Sequence, residues 1–146
     1  MTRAIGPALT AEETAAFVAC ARSFVGVRWR HQGRNRNGID CGGLLAACIT
    51  RIGRGVYDPT GYGRRPYRGS LEATLRENLG DPVDSLQYGD VAVFAWGNAA
   101  PNHVGIVADH PHGGHSLIHA FAPIGKVIET RLDDEMLAKL KEVYRP

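Results

Sequence analysis

In Asp40-Cys41-Gly42-Gly43, a cysteine stands between an aspartate and two glycines, just before the apolar pair Leu44-Leu45. Asp40 is a good N-cap, which places Cys41 in the first turn of a helix. There the unpaired backbone N–H groups and the positive end of the helix dipole favour thiolate over thiol and lower a cysteine pKa. The same N–H groups can hold an oxyanion once sulfur has attacked a carbonyl. Gly42 and Gly43 let a substrate chain approach the backbone. The alternative is a buried thiol with glycines that serve helix packing. A cysteine nucleophile also needs a base and a group that orients the base. Five of the six histidines fall between positions 103 and 119. His103 opens the run HVGIVA and His119 lies inside LIHAF. On adjacent antiparallel strands the two imidazoles can share a face as cross-strand neighbours. His103 would then pair with Cys41, and His119 would bond the far nitrogen of His103. Taken alone, His119 reads as a satisfied core histidine. His110, His112 and His115 belong to DHPHGGH, a turn set by Pro111 and the Gly113-Gly114 pair. A histidine-rich turn can bind zinc, but no closed ligand set accompanies it, so a solvated hairpin loop is expected, with no metal and no cofactor.

These residues need elements to position them. Thr10 and Glu13 form a capping box for a first helix, with Phe17, Cys20, Ala21, Phe24 and Val25 at helical spacing. Cys20 reads there as a small buried hydrophobe. Residues 26–38, GVRWRHQGRNRNG, are loop-like. The second helix starts at Asp40, buries Leu44, Leu45, Cys48, Ile49 and Ile52, and ends at Gly53. Residues 54–69, RGVYDPTGYGRRPYRG, show no period and form a long loop. With Arg54, Arg64, Arg65 and Arg68 beside Tyr57, Tyr62 and Tyr67, it could line a groove, dock a partner or simply be solvated. Leu71, Leu75 and Leu79 mark a short third helix ending at Gly80. Four strand-like runs follow: VAVFAW (91–96), HVGIVA (103–108), SLIHAF (116–121) and KVIETRL (126–132). Asp133 can cap a last helix carrying Met136, Leu137 and Leu140, and VYR (143–145) can add an edge strand. Helices first and antiparallel strands second make an α+β pattern.

The 146 residues suit one domain, 1–146, with a core that needs no disulfide staples. Three cysteines without a CxxC pair argue against a disulfide framework or a cysteine zinc site. A formal net charge of +2 is too small to make nucleic acid the main partner. The start, MTRAIGPALTAEE, lacks the apolar stretch of a signal peptide. No apolar run approaches the roughly 18 residues that span a membrane. Synthesis in the cytoplasm without a signal peptide, and no membrane insertion, are the expectations.

Four ordered motifs carry a resemblance: NGIDCGGLL (37–45), YGDVAVF (88–94), HVGIVA and LIHAF. Together they resemble the NlpC/P60 cysteine peptidases, over most of the chain from about residue 12 onward. The resemblance implies a papain-like α+β fold, with N-terminal helices packed on an antiparallel sheet. It implies Cys41 as nucleophile, His103 as base and His119 as the orienting residue. It implies a substrate class, the stem peptides of bacterial peptidoglycan, commonly cut after γ-D-glutamate and before a diamino acid.

The chain departs from the family pattern in three places. Gly42 replaces the usual serine after the cysteine. Trp29 stands where the family often has an oxyanion-assisting tyrosine. The segment between His103 and His119 is longer than usual. Oxyanion and substrate candidates are therefore Trp29, His31, Gln32, Asp40 and Gly42. WRHQGR (29–34) resembles the phage-type branch, found in bacteriophage tail tips and gene transfer agents. That implies tail or baseplate hub proteins as partners, and carriage in a phage-like particle to act on the periplasmic cell wall. Two rivals remain: an amidase or acyltransferase on the same Cys-His-His scaffold, and a catalytically inactive structural subunit of a tail tip.

Overall fold

The computed structural model describes residues 3–55, 70–97 and 101–146. Helix α1 spans Ala11–Ser23. Its capping box is fully formed, with Glu13 N–H donating to Thr10 Oγ1 and Thr10 N–H donating to the Glu13 carboxylate, each at 3.1 Å. Glu12 and Glu13 in the first turn and Arg22 in the last complement the helix dipole. Phe17, Val18 and Ala21 form its buried face. The expected apolar stripe is shorter than its pattern. The helix stops at Ser23, the chain turns at Gly26 with φ of +95°, and Val25 stays exposed. Cys20 is half-buried rather than a core residue.

The expected loop at 26–38 contains a small ribbon, β1 (Arg34–Asn35) paired with β2 (Gly38–Ile39). Upstream of it, Gly26, Val27 and Trp29 exchange backbone hydrogen bonds with Gly125 and Val127. Helix α2 (Cys41–Arg51) follows, with Leu44, Leu45, Cys48 and Ile49 buried as their spacing predicts. Helix α3 spans Ser70–Leu79, and Gly80 at φ of +85° ends it. Of the arginine- and tyrosine-rich stretch, residues 56–69 lie outside the described residues. Arg54 is described and is structural: its guanidinium holds the Glu13 carboxylate through two 2.7 Å bonds.

The second half forms one antiparallel sheet from β3 (Val91–Phe94), β4 (His103–Asp109), β5 (His115–Phe121), β6 (Lys126–Arg131) and β7 (Leu140–Tyr144). The order is β6-β5-β4-β3-β7, so β4 is central. A short α4 (Asp134–Leu137), capped by Asp133, precedes β7. Met136 packs on the sheet, Leu137 is exposed, and Leu140 belongs to the strand rather than the helix. The α+β class, with helices on an antiparallel sheet, is therefore the observed one.

Alternation along the strands divides the sheet into two faces. Val91, Val93, Val104, Ile106 and Ile118 join Phe17, Leu44, Leu45 and Ile49 in the main core under α1 and α2. Ala92, Phe94, Val107 and Leu117 face the other way and are covered by Leu132, Met136 and Leu140. The Gly89-Asp90 pair before β3 has a structural task. Asp90 is buried and clamps Arg145 at 2.9 and 3.0 Å, beyond the end of β7.

Candidate functional site

Cys41 is the first residue of α2, and the Asp40 side chain caps that helix by accepting from Gly43 N–H at 2.8 Å. The same carboxylate accepts from Gln32 N–H at 2.7 Å and from Arg34 at 3.2 Å. Asp40 thus ties the 31–34 loop to the turn that bears the thiol. Gln32 sits at φ of +58°, a left-handed conformation that a non-glycine residue adopts at a cost. The bond to Asp40 offsets that cost. Gly43 is buried, and a Cβ there would run into the Gly33 carbonyl oxygen. It serves the packing of the loop on the helix and does not open the site to substrate. Gly42 keeps part of its surface accessible.

The backbone N–H groups of Cys41, Gly42 and Val104 lie close enough to the Cys41 sulfur to favour its thiolate. Val104 directly follows His103, so the thiol lies beside the first residue of β4. Among the described residues no thiol–imidazole hydrogen bond is formed; the His103 ring instead bonds His119. Such bonds are often long or misaligned without substrate.

The backbone donors favour thiolate, but burial and the neighbouring Asp40 charge outweigh them and push the thiol up to about 11. Burial, then the His119 neighbour, lowers His103 to about 3, and burial lowers His119 to about 4. The resting site is therefore a neutral thiol beside neutral imidazoles. This reverses the lowered Cys41 pKa that a helix N-terminus alone would give.

His103 and His119 share a sheet face as expected, though diagonally: His103 is opposite Phe94 on β3, and the β4–β5 register puts His119 across from Gly105. His103 Nε2 and His119 Nδ1 are 2.7 Å apart. The chain of contacts continues through residues that no sequence motif singled out. His119 Nε2 lies 3.0 Å from Thr130 Oγ1, and the Thr130 hydroxyl donates to Met136 Sδ at 3.9 Å. Trp96 and Phe121 close the pocket, their rings 5.1 and 5.7 Å from that of His103. Thr130 had one sequence signal, a polar residue on the inward parity of KVIETRL. Trp96 had none beyond its place at the end of VAVFAW.

Of the oxyanion candidates, Trp29 and His31 stack at 6.4 Å on the loop that Asp40 anchors, and Gln32 is exposed with its N–H given to Asp40. Asp40 itself accepts from Gln32, Arg34 and Gly43, which holds the loop and caps the helix. The backbone N–H groups of Cys41 and Gly42, which favour the thiolate, lie near the sulfur. His110 and His112 lie on the β4–β5 turn with rings 5.6 Å apart, and no three metal-binding side chains cluster among the described residues.

The buried neutral histidines carry a pH signature. Both pKa values are lower folded than unfolded, so the unfolded chain takes up protons first as pH falls. Stability should be nearly level above pH 7 and fall by about 5 kcal/mol between 6.5 and 4, about half from each imidazole, a window above the range where the paired carboxylates titrate. Urea unfolding across that window measures it. His119→Asn should about halve the slope; an unchanged slope would place the titration elsewhere.

The family model for NlpC/P60 matches residues 26–143. No curated protein sequence matches the chain. Among solved structures, an NlpC/P60 family protein from Bacillus cereus ATCC 10987 superposes with a TM-score of 0.65 at 19% identity, over 96% of this chain and 42% of that one. The NlpC/p60 domain of the peptidoglycan hydrolase SagA gives 0.62 at 20% identity, over 91% and 98%. The peptidoglycan hydrolase RipB from Mycobacterium tuberculosis gives 0.59 at 18% identity, over 92% and 64%. The chain thus spans under half the length of the Bacillus protein and nearly all of the SagA domain. At these identities the likeness is one of fold.

Proposed function

Since the chain belongs to the NlpC/P60 family, we propose that it is a cysteine endopeptidase that hydrolyses stem-peptide amide bonds of bacterial peptidoglycan. The observation that carries this reading is the juxtaposition of the Cys41 sulfur, three backbone N–H groups and the start of β4, where His103 is bonded to His119. SagA and RipB are peptidoglycan hydrolases, which supports the substrate class.

In this mechanism His103 Nδ1 takes the Cys41 proton as sulfur attacks the amide carbonyl, because the resting groups are neutral. The oxyanion accepts from the first-turn N–H groups of α2. His103 returns the proton to the leaving amine, and a thioester remains. Water then attacks the thioester, passing its proton through His103 to the departing sulfur. For Nδ1 to be free, His103 Nε2–H donates to His119 Nδ1. His119 Nε2–H donates to Thr130, whose hydroxyl donates to Met136. One direction of donation therefore satisfies the whole row.

Purified protein and its Cys41→Ala variant, each incubated with peptidoglycan, test the reading by mass spectrometry of the soluble fragments. Peptide fragments without sugar cleavage are expected from the native protein, and a loss of at least about 10⁴-fold from the variant, with the circular dichroism spectrum unchanged. Release of free amide nitrogen or acyl exchange instead would make it an amidase or acyltransferase. No cysteine-dependent product would make it a structural subunit. Carriage by a phage tail tip or gene transfer agent baseplate is a separate part of the proposal, supported by the WRHQGR resemblance. Its detection in purified particles is the corresponding test.

A further inference from the structure

Residues 26–38 carry four arginines and no acidic residue. Two of the four are tied down. Arg34 pairs with Asp40, and Arg36 donates to the Ser23 carbonyl at 2.7 Å and to Ser23 Oγ at 3.0 Å. Arg28 is exposed and held at one point, where its Nε donates to the Asn37 carbonyl at 2.7 Å. Directly opposite it, across an antiparallel bridge, stands a second exposed cation, Lys126. Like charges in cross-strand register repel and cost stability. Among the described residues neither cation is paired with a carboxylate. Asp40 is taken up by Gln32, Arg34 and Gly43. Glu129 lies at the opposite parity of β6, on the other face of the sheet, where Arg22 and Ser116 hold it.

The two cations share a sheet face with the catalytic histidines. Lys126 is in register with Phe121, whose ring is 5.7 Å from that of His103. Neighbouring strands stand about 4.8 Å apart, so Lys126 is about 10 Å across the sheet from His103, with Arg28 one step further. That span is about three residues of extended peptide. A short peptide whose scissile amide sits between Cys41 and His103 can therefore lay its end on the pair, and the group that two cations hold there is a carboxylate. We propose that Arg28 and Lys126 form a subsite for the free C-terminal carboxylate of the stem peptide, which selects stems whose C-terminus is neither amidated nor cross-linked. The proposal rests on the peptidase reading and deepens it. The Lys126 ammonium and the terminal N–H groups of Arg28 donate to the carboxylate oxygens. Binding also relieves the repulsion between the two cations. The contact is remote from the reacting bond and equal in ground and transition states, so it acts on KM rather than kcat.

Two soluble stem peptides test this, one ending in a free carboxylate and one in an amide. Each is titrated by calorimetry into the Cys41→Ala chain, which cannot cleave it. The free acid should bind about fivefold tighter than the amide. Lys126→Gln and Arg28→Gln, made in the same chain, should each shrink that preference, and the double variant should abolish it. Lys126→Gln should leave the urea midpoint unchanged or raise it, because it removes a repulsion. Lys141→Gln takes a charge from β7, at the other edge of the sheet, and should keep the preference, which separates a local subsite from the field of net charge. In the native protein the same preference should appear in KM with kcat unchanged. Equal binding of acid and amide would overturn the subsite and leave the peptidase reading in place, whereas failure of both peptides to bind would overturn the two together. A preference that survives in the double variant would overturn the subsite as well.

Discussion

Replacing His103 by alanine should reduce turnover of peptidoglycan peptides by about 10³-fold while the fold persists. General acid–base work by a placed histidine contributes on that order, and with His103 gone His119 stays one strand further from the thiol, held by Thr130. The row predicts a graded series. His119→Ala should cost about 100-fold, because the base keeps its place but loses its tautomer. Thr130→Val removes the acceptor for His119 and should cost about tenfold, with Thr130→Ser close to native. Each variant should also move the acid limb of the kcat/KM profile, which a purely structural role would leave alone. Rates and pH profiles on a soluble stem peptide measure both. If His103→Ala keeps activity within tenfold of the native protein, the base lies elsewhere and the row is only packing.

Gly43→Ala should be the most damaging single substitution for stability near the site. Within a helix, glycine to alanine by itself favours folding by about 1 kcal/mol. Here the added methyl would collide with the Gly33 carbonyl oxygen, a backbone atom that cannot turn aside. Relief requires the 31–34 loop to lift from α2, which breaks the bonds from Asp40 to Gln32 and Arg34. A net loss of about 3 kcal/mol is expected. The sign is diagnostic: chemical denaturation showing a gain would mean that the loop yields freely. Activity should fall with it, since the loop and the thiol share Asp40 as their anchor.

What the sequence made legible depended on whether a residue's surroundings are local. The Asp40 cap, the first-turn position of Cys41 and the three strands around His103 and His119 follow from spacing along the chain. Helical and strand periods report those spacings directly. The shared face of the two histidines was legible for the same reason, but their diagonal offset was not, because register depends on the turn at 110–114. For Gly43 the packing alternative is the one the structure supports, and spacing could not choose it because its partner, Gly33, belongs to a loop without a period. The Cys41 pKa was expected in the wrong direction because the helix dipole is visible in sequence while desolvation is not. Cys20 was placed in the core because the helix pattern seemed to run to Val25, whereas the helix ends two residues earlier. Thr130 and Trp96 are ordinary strand residues by type. Only the folded sheet brings one to His119 and the other to His103.

The edge-on contact of Trp96 with His103 gives the protein an optical property. An imidazolium quenches a neighbouring indole far more strongly than a neutral ring does, and Trp29, the other tryptophan, stacks on His31 in a different loop. Emission from Trp96 thereby follows the charge of the imidazole it touches. In a Trp29→Phe background the pocket becomes its own fluorophore, able to register proton arrival at His103 in real time without a label or a substrate.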